Sequence, residues 1–184
     1  MDNVNIGYCG INCEACSVRQ YGQGNAKDIF IACVGNILES DMTCSGCKSG
    51  SVYAGCLCCK IRPCAASRNL VHCAECRDYP CRLYKKWRMA VKILPHVGDA
   101  QRNLDLAKRD GLEVWVKGQQ SHWTCMKCGT PFSWYSISCR KCGEDLTQKT
   151  YSLNSLQKIL CRIILPKVYK RGKKLKSSDQ RPNE

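Results

Sequence analysis

Residues 123–145 read WTCMKCGTPFSWYSISCRKCGED and contain two C-x2-C-G units, Cys125/Cys128-Gly129 and Cys139/Cys142-Gly143. A C-x2-C turn lets two thiolates converge on one metal ion. The glycine after each pair lets the chain turn tightly, so backbone amides can reach the second sulfur. Two such units supply four thiolates and leave no open coordination position, which is the chemistry of a structural ion. The segment predicts a zinc ribbon, with Phe132, Trp134 and Tyr135 on a strand-like stretch of a small β-hairpin. A rubredoxin-like iron site would use the same ligands. Nothing nearby suggests electron transfer, so Zn²⁺ is the expected occupant. Trp123, Phe132, Trp134 and Tyr135 offer rings that could stack on bases, but a module this small needs them first as its core.

Thirteen more cysteines lie between residues 9 and 81: Cys9, Cys13, Cys16, Cys33, Cys44, Cys47, Cys56, Cys58, Cys59, Cys64, Cys73, Cys76 and Cys81. Cys161 stands apart. C-x2-C spacing recurs at 13/16, 44/47, 56/59 and 73/76. Chelation needs that spacing and a disulfide framework does not, so metal is the expected staple. The first run, YCGINCEAC, has the C-x3-C-x2-C spacing used by radical S-adenosylmethionine enzymes. Those place the loop after the first strand of a large barrel. Here few residues precede Cys9, and the chain that follows is too short for such a barrel.

YCGINCEAC, CSGC, CLCCKIRPCA and CAECRDYPCRL together resemble the cysteine-rich domain-of-unknown-function family numbered 3795, known mainly from anaerobic bacteria and archaea. The resemblance spans residues 8–83 and brings no activity with it. By position it implies eleven ligands: Cys9, Cys13, Cys16, Cys44, Cys47, Cys56, Cys59, Cys64, Cys73, Cys76 and Cys81. Cys33, Cys58 and Cys161 fall outside the pattern. Cys33 and Cys161 read as small buried hydrophobes. Eleven thiols do not divide into four-thiol sites, so a third site would need Cys58, His72 or another donor. The pairing stays open, as does the choice between Zn²⁺ and [4Fe–4S]. The paired C-x2-C units and the knuckles in the same chain favour zinc. Single thiols beside the pairs, Cys64 and Cys81, and the anaerobic relatives favour a cluster.

The 184 residues include eighteen cysteines but only two phenylalanines, so the conventional core is thin. The formal charge of +14 counts thiols as neutral. A Zn²⁺ or [4Fe–4S]²⁺ with four thiolates carries −2, so about four filled sites would bring the net charge near +6. The opening MDNVNIGYCG has no basic n-region or apolar run, and the repeated chelating pairs predict a reducing cytoplasm.

The elements between the cysteine groups read as helical. Asp78 reads as a cap and Pro80 as part of a first helical turn, which would put Cys81 at a helix N-terminus. Leu83, Trp87, Ala90, Val91 and Leu94 follow at helical spacing as far as Pro95. A second segment from Asp99 carries Leu104 and Ala107, breaks at Gly111 and resumes with Leu112 and Trp115. A third runs from Ser152, with Leu153, Leu156, Ile159, Leu160, Ile163 and Ile164 on a wide apolar face and Pro166 as its stop. Beyond Pro166 comes a basic tail whose last dozen residues are expected to be disordered. The predicted fold is a small, metal-stapled α+β chain. Residues 1–97 form a cysteine-rich, mainly helical and irregular metal-binding module. Residues 98–120 form a helical linker, 121–148 the ribbon hairpin, and 149–184 an amphipathic helix and basic tail.

No catalytic constellation is visible. His72, His96 and His122 lack an evident acid or nucleophile partner. Cys58 or Cys59 beside Lys60 and Arg62 could be an activated thiol, but Cys59 fits the ligand pattern better. The expected function is a non-catalytic zinc-binding module that meets protein or nucleic acid through its ribbon and basic tail. The alternative is an iron–sulfur protein for electron transfer or redox sensing.

Overall fold

The computed structural model describes residues 6–25, 28–38 and 42–179. Eight α-helices are set among them: α1 (Ser17–Gly22), α2 (Ile29–Leu38), α3 (Ala54–Leu57), α4 (Ile61–Ala66), α5 (Arg82–Arg88), α6 (Ala100–Asp110), α7 (Leu112–His122) and α8 (Ser155–Asp179). Short 3-10 turns occupy Cys73–Glu75, Met89–Lys92 and Pro95–Asp99. Extended pairing among the described residues is confined to isolated bridges: Ile6 with Asn12, Thr124 with Pro131, and Ser138 with Asp145.

The cysteine-rich, mainly helical character is as expected, but the β-hairpin of the ribbon is not formed. Each knuckle closes one bridge and stops. Between the knuckles, the backbone groups that a hairpin would pair go elsewhere. The Trp134 amide donates to Ala15 O at 3.0 Å, Tyr151 N to Trp134 O at 2.7 Å, and Ile29 N to Tyr135 O at 3.3 Å. Pro131 has no amide to extend a ladder. Residues 131–135 are therefore a plug rather than a strand.

That plug fills the larger of two cores. Phe132, Trp134 and Tyr135 are buried with Ala15 and Val18, with Phe30, Ile31 and Val34 of α2, and with Leu153, Cys161 and Tyr169. Phe30 stacks on Tyr135 with ring centroids 5.7 Å apart. Asp28 starts α2 by accepting from Ile31 N at 2.8 Å, and Ser133 Oγ donates to its other carboxylate oxygen. The smaller core joins Ile6, Ile61, Ala74, Tyr84, Leu104, Ala107 and Trp115. The helical spacing of Leu104, Ala107 and Trp115 is realised in α6 and α7. Gly111 separates them at φ 89°, a conformation open to glycine.

Helix α5 begins at Arg82, not Pro80, with Cys81 at its N-cap position. Asp78 does not cap it, because its carboxylate pairs with Arg68 at 2.9 Å. Pro166 does not end the third helix either: α8 runs through it to Asp179, into the segment expected to be disordered. The proline removes one bond, to the carbonyl of the exposed Arg162, where solvent can serve. Residues 180–184 lie outside the described residues.

The buried face of α8 is also not the one with the largest apolar residues. Leu156, Ile159 and Ile163 are exposed, whereas Cys161, Tyr169 and Gly172 are buried. Leu153, just before the helix, is buried as expected. Close approach decides the register. A Cβ on Gly172 would overlap the Ala54 carbonyl of α3, Tyr169 stacks on Tyr53 at 5.8 Å, and Cys58 Sγ donates to Val168 O at 3.4 Å. Gly172→Ala should therefore cost about 1–3 kcal/mol in chemical denaturation, as overpacking does. Leu156→Ser with Ile163→Ser should each stay within about 0.5 kcal/mol of the parent, as exposed substitutions do. The reverse ranking would show that α8 docks in the other register.

His96 joins α6 to the plug. Its ring lies 4.0 Å from that of Trp134 at 14°, and Nδ1 is 2.8 Å from Tyr135 Oη. Burial pushes its pKa down to about 3. The unfolded imidazole titrates near about 6.5, so the unfolded state takes up the proton first as pH falls. The contribution is fully present above pH 6.5 and is lost from there towards pH 3, at up to about 1.4 kcal/mol per pH unit. Denaturation of wild type against His96→Phe across that range should show the component in the wild type alone. Parallel pH profiles would refute it.

Candidate metal centre

Local backbone geometry builds the two knuckles identically. Cys125 N donates to Thr130 O at 2.9 Å and Gly129 N to Cys125 O at 2.8 Å. Cys139 N donates to Glu144 O at 2.8 Å and Gly143 N to Cys139 O at 2.9 Å. Gly129 and Gly143 adopt φ of 71° and 75°, the left-handed turn the sequence anticipates. The two turns face one another. Cys125 Sγ is 3.6 Å from Cys142 Sγ, and Cys128 Sγ is 3.4 Å from Cys139 Sγ. All four sulfurs lie within 4.8 Å of one another, and Cys125 and Cys139 are buried.

A tetrahedral ion with sulfur bonds of about 2.3 Å puts its ligands about 3.8 Å apart, so the donor set fits a four-thiolate ion. The thiols share charge unequally: Cys128 and Cys139 are lowered, while burial and its thiol neighbours push Cys142 up to about 12. The hydrogen bond with Thr130, 3.2 Å away, brings Cys128 down to about 6. Cys139 is also lowered: the Cys142 and Lys141 amides outweigh its burial. Thiolates this close repel one another unless a cation sits between them. Thr130 was missed in the sequence, although its position directly after C-x2-C-G marks it.

The other sequence-predicted ligands form a looser array. The CGINC loop is held by its surroundings: Tyr84 Oη donates to Cys9 O at 3.1 Å, Asn103 Nδ2 to Gly10 O at 3.0 Å, and Cys73 N to Tyr8 O at 2.8 Å. Gly10, at φ 89°, lies so close to the Ala100 carbonyl that a Cβ would overlap it. A Cβ on Gly7 would meet both Cys9 Sγ, at 3.5 Å, and Cys47 Sγ, at 3.6 Å. A hydrogen bond from Cys13 brings Cys47 down to about 6, and Cys13 is pushed up in turn. Burial pushes Cys16 up to about 11, with Cys44 adding to it. Cys56 lies within electrostatic reach of Cys16, Cys44, Cys59 and Cys47. Seven thiols from three segments thus form one neighbourhood.

Cys64, Cys73, Cys76 and Cys81 form a second, which Cys73 links to the first through Cys59 and Cys9. Burial pushes Cys73 up to about 12, with Cys81, Cys64 and Cys76 as the next causes. Among the described residues only the knuckle thiols close to within 4.8 Å as a set. Cys33 and Cys161 neighbour each other, and Cys161 is buried, as expected of a small hydrophobe. Cys58 faces α8. His72 is buried with Nδ1 unpartnered. All eighteen cysteines are free thiols.

Residues 5–86 match the family described as Protein of unknown function (DUF3795). That stretch contains all eleven ligands implied by the resemblance and ends before the knuckles. No curated protein and no solved structure matches the chain. The DUF3795 description assigns no activity, so the chemistry rests on the thiols themselves.

The rings of Trp123, Phe132, Trp134 and Tyr135 are buried, which removes them as a stacking platform for bases. No described helix is long and apolar enough to cross a membrane. Cys128→Ser should remove one equivalent of bound metal. It should also destabilise the larger core as a whole, because Cys125 and Cys139 are part of it. Metal analysis with thermal denaturation tests this. Unchanged metal stoichiometry would overturn the centre.

Proposed function

We propose that this is a non-catalytic metal-binding protein whose knuckle centre holds Zn²⁺ and whose basic helix α8 meets the phosphate backbone of a nucleic acid. The observation that carries the metal reading is the closure of four sulfurs within 4.8 Å. With all positions filled by thiolate, the ion has no room for water or substrate, so its work is structural. Zinc suits it because four soft thiolates at tetrahedral spacing match its preference.

The interaction reading rests on α8. Lys167, Lys170, Arg171 and Lys174 are exposed along its C-terminal half. No acidic residue falls between Asp145 and Asp179, whereas nine basic ones do. A one-signed helix of this kind suits sequence-independent phosphate contact. With the ribbon aromatics committed to the core, base stacking is not expected, and binding should be indifferent to sequence. A cytoplasmic location accords with the repeated chelating C-x2-C pairs.

Zinc should be present at one equivalent in the knuckle centre, with sulfur neighbours at about 2.3 Å by X-ray absorption. Retention on short DNA or RNA of mixed sequence should fall with salt. Four phosphate contacts predict a slope of log K against log salt of about −3 to −4. Reversing Lys167, Lys170 and Lys174 to Glu should abolish retention without changing metal content. No retention of the intact protein at low salt would sink the nucleic-acid reading and leave the zinc reading standing.

A further inference from the structure

We propose that Cys64, Cys73, Cys76 and Cys81 hold a second metal centre, and that its occupant is an iron–sulfur cluster rather than a lone tetrahedral ion. This rests on the reading of the chain as metal-binding, but on ligands wholly separate from the knuckles.

The four cysteines come from α4, the Cys73–Glu75 turn with the residue after it, and the N-cap of α5, and they line one cavity of about 60 Å³. Much of the rest of the wall is apolar: Ile61, Ala65, Leu70, Leu83 and Tyr84. A largely apolar cavity lined by four cysteines is a poor place for water and a suitable one for a group bound through sulfur.

The two sets differ in how far they close, and that favours the larger occupant here. The knuckle thiols are already drawn within 4.8 Å, as a single ion requires, and this second set is not. A tetrahedral ion needs sulfurs about 3.8 Å apart. A cubane carries its four cysteines on the corners of a larger body, so its ligands stand around a cavity instead of closing on a point.

Arg68 adds a third observation. Its Nη1 lies 3.1 Å from Cys76 Sγ and 2.9 Å from Asp78 Oδ2. The carboxylate holds the guanidinium at the cavity rim, where it can donate to a ligand sulfur. Hydrogen bonds to cluster sulfur are a recognised lever on reduction potential, stabilising the more negative reduced state.

The test uses the full chain, purified without oxygen and reconstituted with ferrous iron and sulfide in the presence of zinc. Iron, acid-labile sulfide and zinc are counted, and the dithionite-reduced sample is examined by electron paramagnetic resonance. Cys76→Ser should lose iron and sulfide together and keep the knuckle zinc, whereas Cys128→Ser should lose zinc and keep the iron. Arg68→Ala removes no ligand, so it should keep the cluster and move its midpoint to a more negative potential. Loss of zinc instead of iron from Cys76→Ser would overturn the cluster. So would iron and sulfide contents unchanged in both Cys73→Ser and Cys76→Ser. An unchanged midpoint in Arg68→Ala would also overturn it, and that variant decides the matter if the cysteine variants fail to fold. Failure of the knuckle reading appears separately, as absent zinc in the parent protein.

Discussion

Four thiols within 4.8 Å of one another cannot all ionise without a cation between them. That constraint reaches beyond the knuckles, because Cys125 and Cys139 are members of the larger core. The knuckles fix both ends of residues 131–135, and those residues supply Phe132, Trp134 and Tyr135 to α1, α2 and α8. A chain with two phenylalanines has few other large groups to organise a core around. The energy of closing the knuckles is therefore coupled to packing that involves residues from Ala15 to Tyr169.

Hydrogen-bonding groups at the plug show the same coupling. In a free-standing ribbon the residues between the knuckles would pair with each other. Here Trp134 bonds to Ala15 and Tyr151, and Tyr135 bonds to Ile29, so the amides that would have made a hairpin tie distant segments together. His96 stacks on the same tryptophan and meets the same tyrosine. The sheet is lost because tertiary partners satisfy the backbone equally well and bury more apolar surface in doing so.

How much of this was legible follows from how local each feature is. The knuckles are local: C-x2-C-G determines its own turn, and both glycines adopt the positive φ that the motif requires. The breaks at Gly111 and the apolar spacing of α6 and α7 are local as well. The ligand neighbourhoods of the N-terminal cysteines are not. Cys64 meets Cys73, Cys76 and Cys81 only once α4 and α5 have packed through Ile61 and Tyr84, and no spacing rule carries that information. Asp78 looked like a cap because capping is a local preference, but a charged partner in Arg68 outcompeted it. The register of α8 misled for a related reason. Periodicity weighs residues by size, whereas this interface was selected by close backbone approach at Gly172 and Ala54.

That selection leaves the two faces of one helix unlike each other. Its inner face uses a small residue, Gly172, with Cys161 and Tyr169, and so brings α8 close to α3 without needing its bulkiest residues. Leu156, Ile159 and Ile163 are left on the outside, ahead of Lys167, Lys170 and Lys174 at similar helical spacing. Charge on the outer face costs the core nothing, since those side chains stay solvated. Pro166 lies near the changeover, with its lost hydrogen bond towards solvent. The inner face is held to glycine by contact with the Ala54 carbonyl, and the outer face is constrained only by what it meets.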